Sequence, residues 1–126
     1  MTDKPVRIPG PDHPISIIPH PGHVTVRAGG RTIAETDAAL ALSEASYPPV
    51  LYVPRADADM AALERSDHTT WCQYKGDASY FSIAGAGEGA SDSGRNAVWT
   101  YETPHDAVAA IGGYLAFYTD RVEVAG

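Results

Sequence analysis

The chain has one cysteine, two lysines and two phenylalanines among 126 residues, and no apolar run that approaches the length of a membrane span. A lone cysteine excludes an internal disulfide and a multi-cysteine zinc site, and it fits a reducing compartment. Met1 to Pro14 is polar and proline-rich and lacks the apolar stretch of a signal peptide, so a cytoplasmic location is expected, with no membrane partner. Basic residues are scarce and scattered, nine against sixteen acidic ones, for a formal charge of -7. Neutralising phosphates takes a basic cluster that is missing here, so nucleic acid is not an expected partner. The acidic balance reads as solubility. What is present, 44% apolar and 20% charged residues at this length, describes one globular unit with one core.

Six of the ten prolines lie at or before Pro21, which predicts an extended arm over residues 1–12 and a single domain over 13–126. Ile15, Ile17 and Ile18 can lay the start of the chain along the body. His13, His20 and His23 fall within eleven residues, but no acidic or cysteine residue stands beside them at a ligand spacing, so they are expected to be solvated. Val24 to Ala28 and Arg31 to Thr36 alternate around Gly29-Gly30, which predicts a hairpin with Val26 opposite Ile33. Ala39 to Glu44 is a third strand with Leu40 and Leu42 on one face. Val50 to Val53 is apolar on both faces, as in a strand buried on both sides. Arg55 to Arg65 changes period and predicts a short helix capped by Asp57 or Asp59; Asp57-Ala-Asp59 is also a possible metal-binding pair, with capping the simpler reading.

Asp77 to Ile83 alternates again, with Ala78 and Tyr80 on one face and Phe81 and Ile83 on the other. Gly85 to Ala90 loosely matches a dinucleotide fingerprint, but no helical pattern follows to hold a pyrophosphate. Asn96 to Glu102 and Tyr114 to Tyr118 read as strands, and Val122 and Val124 suggest a last edge. Between them Thr103-Pro-His-Asp106 resembles a capping box that starts a second short helix through Val108 and Ile111 and ends at Gly112-Gly113. The sum is a mainly β chain of about eight short, mostly antiparallel strands with two short helices.

The stretch from Ser66 to Tyr80 gathers His68, Trp71, the only cysteine, Tyr74 and the only lysine beyond Lys4. A lysine is almost never buried unless paired, so Lys75 is either at the surface or answers an anion. His68 is placed equally well to act as a general base or to hold a turn. Cys72 invites a thiolate–imidazole pair with His68 only if the segment is helical; otherwise it is an inert cysteine.

Five motifs carry a resemblance: Pro48-Pro-Val-Leu-Tyr-Val-Pro-Arg55, Ser66-Asp-His-Thr-Thr-Trp-Cys72, Lys75-Gly-Asp-Ala-Ser-Tyr80, Ala97-Val-Trp-Thr-Tyr101 and Leu115-Ala-Phe-Tyr118. From about His13 to Val122 the chain resembles the domain-of-unknown-function family 427. The resemblance implies a bacterial-type single domain of the β-tent kind, two antiparallel sheets around a cavity. It also carries a nucleotidyltransferase-like catalogue label without an assigned activity. Gln73 departs from the family's usual proline, which would loosen the turn before Lys75.

The residues themselves suggest a pocket in which polar groups converge among aromatic ones. Its candidate ligand contacts are Tyr52, Arg55, His68, Thr69, Cys72, Lys75, Tyr80, Trp99, Tyr101 and Tyr118, with His68 and Lys75 as the candidate catalytic residues. No metal or cofactor is expected. Three functions fit: a domain binding a small polar or anionic, nucleotide-like ligand; an enzyme acting on a nucleotide or phosphorylated metabolite; or a structural, partner-binding domain. A nucleotidyltransferase would also need carboxylates near the lysine, for which only Asp57, Asp59, Asp67 and Asp77 are candidates.

Overall fold

The computed structural model describes residues 6–83 and 95–126; the fingerprint at Gly85 to Ala90 and the loop around it lie outside them. The N-terminal hairpin forms as its turn chemistry dictates. Strands β2 (Val24–Ala28) and β3 (Arg31–Thr36) meet at Gly29 and Gly30, whose φ angles of 58° and 80° suit the tight turns that join twisted strands. The expected register holds only next to the turn. A bulge between Val26 and Arg27 sets Val26 opposite Ala34, leaving Ile33 as the extra residue. The bulge lets two successive apolar residues, Ile33 and Ala34, both turn inward. Strand β10 (Glu123–Ala125) pairs along the other side of β2, Val124 against Val26, and gives a sheet of order β10-β2-β3.

A second sheet has the order β1-β4-β5, from Ile15–Pro19, Leu40–Glu44 and Val50–Tyr52. The arm thus enters the fold at β1, where Ile15 and Ile17 pack inward while Ile18 stays 58% exposed. A third sheet runs β6-β7-β8-β9, from Leu63–Cys72, Gly76–Ile83, Val98–Thr100 and Leu115–Phe117. Every strand pair is antiparallel. The fold is mainly β, but among the described residues three sheets stand where two were expected. Two of them are joined by one bridge, in which the N–H groups of Val53 and Leu115 each donate to the other's carbonyl at 2.8 Å.

The two expected helices are also different. Arg55 to Arg65 contains two single 3-10 turns, Arg55–Asp57 and Met60–Ala62, and from Leu63 onward it is strand. Tertiary pairing overrides helical spacing here: Ala58 bridges Ala34, and the Asp59 N–H donates to the Ile33 carbonyl at 2.8 Å. Asp59 stands at the N-cap of the second turn but makes no side-chain capping bond, and Asp57 lies inside the first turn, whose cap residue is Pro54. Asp57 accepts the Thr36 hydroxyl at 2.7 Å, and Asp59 pairs with Arg31 at 3.4 Å. The second helix is a 3-10 segment, Asp106–Ile111, interrupted at Val108; its cap residue is His105 rather than Thr103, with no side-chain capping bond. Gly112 ends it, as expected.

The apolar residues form two clusters. Val26, Ile33, Val53, Phe81, Val98 and Phe117 belong to one; Leu42, Tyr52, Ala78, Tyr80, Tyr101, Val108 and Ile111 belong to the other. Alternation splits the strands between them. On β7, Phe81 and Ile83 face the first cluster while Ala78 and Tyr80 face the second. On β5 and just beyond it, Leu51 and Val53 face the first and Val50 and Tyr52 the second, which is why this short segment is apolar throughout. Each fully buried Leu, Ile, Val or Phe contributes about 1.5–3 kcal/mol, and the two clusters fix the sheets against each other. Among the described residues no helix is long and apolar enough to cross a membrane.

Candidate functional site

Lys75 sits in the turn between β6 and β7. Its N–H donates to the Cys72 carbonyl at 3.2 Å, its carbonyl accepts the His105 N–H at 3.0 Å, and the next residue, Gly76, has φ of +110°. Both neighbours of the turn fix its course, and the lysine side chain runs inward. There it meets Glu44 at the end of β4. Leu40, Leu42 and Glu44 alternate onto one face of that strand, so the position that continues the inward row is a carboxylate.

Lys75 Nζ donates to Glu44 Oε1, and His13 Nε2 donates to Glu44 Oε2 at 2.7 Å. The lysine and glutamate side chains are only 10% and 17% exposed. Burial alone would raise the Glu44 pKa, but the hydrogen bonds from Lys75 and His13 outweigh it and hold the carboxyl below its ordinary value. His13 is braced in turn by Tyr74, their rings stacked 3.9 Å apart. Lys75 Nζ lies 5.9 Å from the centre of the Tyr101 ring, within reach of a cation–π contact.

Aromatic side chains from β5, β7 and β8, and from the residues that follow β8 and β9, close around this pair. Trp99 Nε1 donates to the Tyr52 hydroxyl at 3.3 Å, the two rings standing edge to face. Tyr118 lies against Trp99 with ring centres 4.6 Å apart, and the Tyr80 hydroxyl shares a 3.0 Å hydrogen bond with Thr70. Burial pushes the Tyr52 and Tyr101 phenols far above their ordinary range. Burial and a hydrogen bond with Tyr80 push Tyr118 up to about 12. These phenols therefore offer neutral donors and acceptors at physiological pH.

The result is an inner cleft of about 230 Å³ lined by Glu44, Lys75, Tyr52, Tyr80, Trp99, Tyr101 and Tyr118. It shares Glu44, Tyr47, Pro48, Val50, Trp99 and Tyr118 with an adjoining cavity of about 630 Å³, whose other walls include Val26, Leu51, Val53, Phe117 and Val124. A mixed chamber that holds the Lys75–Glu44 pair and a larger, more apolar one thus share a wall.

Six of the ten sequence candidates meet at the inner cleft: Tyr52, Lys75, Tyr80, Trp99, Tyr101 and Tyr118. The other four do not line it. His68 is exposed on the bulged part of β6, its ring 4.5 Å from that of Tyr80, and it lines a separate cleft with Arg95, Asn96 and Arg121 beyond Tyr80 and Tyr118. Arg55 is held by Glu102 and Thr100 at 3.3 and 3.4 Å and lies over the Phe81 ring, with Arg65 on the same ring and the same glutamate. Thr69 is exposed and pairs with Ser79. Cys72 is half-buried at the end of β6 and lines a cleft with His13, Trp71 and Tyr74. Because β6 is extended, four residues span about 13 Å, and Cys72 cannot pair with His68 as it would on a helix.

Two participants were missed by sequence reasoning, Glu44 and His13. Inward alternation after Leu40 and Leu42 is the signal that points to Glu44. Nothing in the spacing of the early histidines could reveal their carboxylates, which come from later in the chain: His13 takes Glu44, and His23 takes Asp37 at 2.7 Å and Glu35 at 3.1 Å. Neither is simply solvated. Asp57 and Asp59 are engaged with Thr36 and Arg31, Asp67 and Asp77 are exposed on β6 and β7, and among the described residues no three His, Cys, Asp or Glu side chains gather as a metal site. A family model described as Domain of unknown function (DUF427), labelled NTP_transf_9, matches residues 16–125. No curated protein matches the chain.

Proposed function

The chain belongs to family DUF427, and on that premise we propose that it is a binding domain for a small polar molecule, held in the inner cleft between Lys75–Glu44 and the tyrosines. One observation carries this reading. A lysine is buried to 10% exposure beside a space that the surrounding side chains leave unfilled. A purely structural ion pair gains nothing from an adjoining cavity, whereas concave sites with a few convergent polar groups among aromatic walls are how small-molecule sites are built. Trp99 and the tyrosines supply flat surfaces and hydrogen-bonding groups, and Lys75–Glu44 supplies one strong donor and one strong acceptor. An enzyme reading has less support. It relied on His68 acting beside Lys75, and His68 opens to a different cleft.

The test is native mass spectrometry of gently purified protein beside a Lys75→Met/Glu44→Gln double variant, which removes both charges together and is checked for folding by circular dichroism. The expected result is a small mass that accompanies the wild type and is absent from the folded double variant. A wild type that flies bare, and whose tryptophan emission responds to no compound in a metabolite screen, would count against binding.

A further inference from the structure

We infer that the ligand is an uncharged amphipathic molecule, with a hydroxyl-, carbonyl- or amide-bearing head in the inner cleft and an apolar body in the adjoining cavity. The inference rests on the binding reading above and specifies its ligand class. It reverses the expectation that Lys75 answers an anion on the ligand, because that anion is already present. Lys75 Nζ is bound by Glu44, and Glu44 is bound on its other oxygen by His13.

Among the described residues the charged side chains lining the two chambers are Lys75, Glu44 and Asp120, one positive against two negative. A phosphate or carboxylate entering the cleft would have to displace Glu44 from Lys75 or settle beside it, and either arrangement leaves two negative groups to share Lys75 and the single His13 hydrogen bond. The tyrosine phenols stay neutral and impose no such penalty on a polar, uncharged group. Two cationic side chains, Arg95 and Arg121, line the separate cleft beyond Tyr80 and Tyr118. Arg121 is already committed there, donating to the Arg95 carbonyl and lying 5.6 Å from the centre of the Tyr118 ring. On the other side of the shared wall, Val26, Leu51, Val53, Phe117 and Val124 offer apolar surface continuous with Trp99. A molecule with one polar end and an apolar remainder satisfies both chambers at once.

Two probes with the same aromatic skeleton separate the alternatives: N-phenyl-1-naphthylamine, which is neutral, and 8-anilino-1-naphthalenesulfonate, which adds one negative charge. Fluorescence titration of wild type should favour the neutral probe by at least about tenfold, since a like charge placed beside Glu44 is strongly disfavoured. Glu44→Gln leaves Lys75 unanswered, so the preference should shrink or invert. Lys75→Met leaves Glu44 without its lysine, so the preference should grow. The two variants push in opposite directions, and either one that folds is sufficient. A wild type that prefers the sulfonate, or a preference unmoved by both folded variants, overturns the inference while leaving binding intact. If neither probe binds but a molecule co-purifies, a neutral amphipathic mass supports the inference and an anionic one overturns it. If nothing binds by either route, the binding reading and the inference fall together.

Discussion

Glu44 and Lys75, thirty-one positions apart, join the end of β4 to the β6–β7 turn through a hydrogen-bonded ion pair inside a wall of tyrosines. Breaking such a pair from one side strands the other charge, whereas removing both leaves an ordinary polar or apolar contact. Glu44→Gln is expected to lower unfolding stability by about 3 kcal/mol and Lys75→Met by a similar amount. The double variant should lose clearly less than the sum. Urea denaturation of the four proteins checks this, and strictly additive losses would show that the pair is not coupled.

The same carboxylate sets an acid limb. Its folded pKa lies below the ordinary 4.5, so its contribution is fully present above that value and is lost as pH falls through the lower, folded one. Wild-type stability should therefore fall on acidification below 4.5 more steeply than that of Glu44→Gln. Parallel urea midpoints for the two proteins across this window would contradict the assignment.

His23 is the opposite case, raised above its ordinary 6.5 chiefly by its hydrogen bond to Asp37 and then by Glu35. Any stabilisation from that ion pair is present below 6.5 and fades as pH rises through the folded value. The ring-proton resonance of His23 should titrate with a midpoint above 6.5, and Asp37→Asn should bring it down. An unchanged midpoint in the variant would remove Asp37 as the cause.

Gly76 carries the backbone that aims Lys75. At φ of +110° a side chain is strained, although a Cβ would meet the His105 ring only at an ordinary 3.5 Å. Gly76→Ala should cost about 1–3 kcal/mol through the backbone alone. Gly10→Ala, where a Cβ meets nothing within 4 Å and φ is not positive, should cost little. Comparable losses at the two sites would mean that conformation is not what the turn requires.

Thr36 is 3% exposed, donates to Asp57 and accepts the Ala38 N–H at 2.9 Å. Thr36→Val leaves both groups unserved and should destabilise by about 1–3 kcal/mol. Thr36→Ser should retain most of the stability, and probe binding by folded Thr36→Val should match wild type. A loss of binding in that folded variant would extend the site to β3.

Strands were legible where period and turn chemistry agree. Gly29-Gly30 announces its hairpin, and the alternation of Ala78, Tyr80 and Phe81 places each on the correct face. Legibility ended where a residue's neighbour arrives from elsewhere. Met60 and Leu63 have helical spacing, but the Ala58–Ala34 bridge pulls the intervening chain into 3-10 turns and a strand. Within the site, buried aromatics could be read from composition and motif, whereas the answer to Lys75 could not. Glu44 has no local mark beyond its place in an inward row, and His13 reaches it through the β1–β4 pairing. His68 and Arg55 were grouped with Lys75 by chemistry alone. The course of β6 sends His68, and the 3-10 turn after β5 sends Arg55, to other surfaces.

Gln73 accepts both the N–H of Arg7 at 2.8 Å, on its carbonyl, and the Arg7 Nε–H at 3.1 Å, on its side chain. A proline would keep the carbonyl but lose the side-chain acceptor, so this chain has a tether for its arm beside the lysine turn.

Val26 is flanked by Ala34 on one side and Val124 on the other. The first neighbour arrives through a tight turn; the second comes from almost the opposite end of the sequence, and so long a loop is closed late because its entropy cost precedes its reward. During synthesis the hairpin therefore waits with one edge bare, open to pairing with another chain. The short strand Glu123–Ala125 is what shields it, so truncations there should appear first as poor yield and aggregation of the nascent protein.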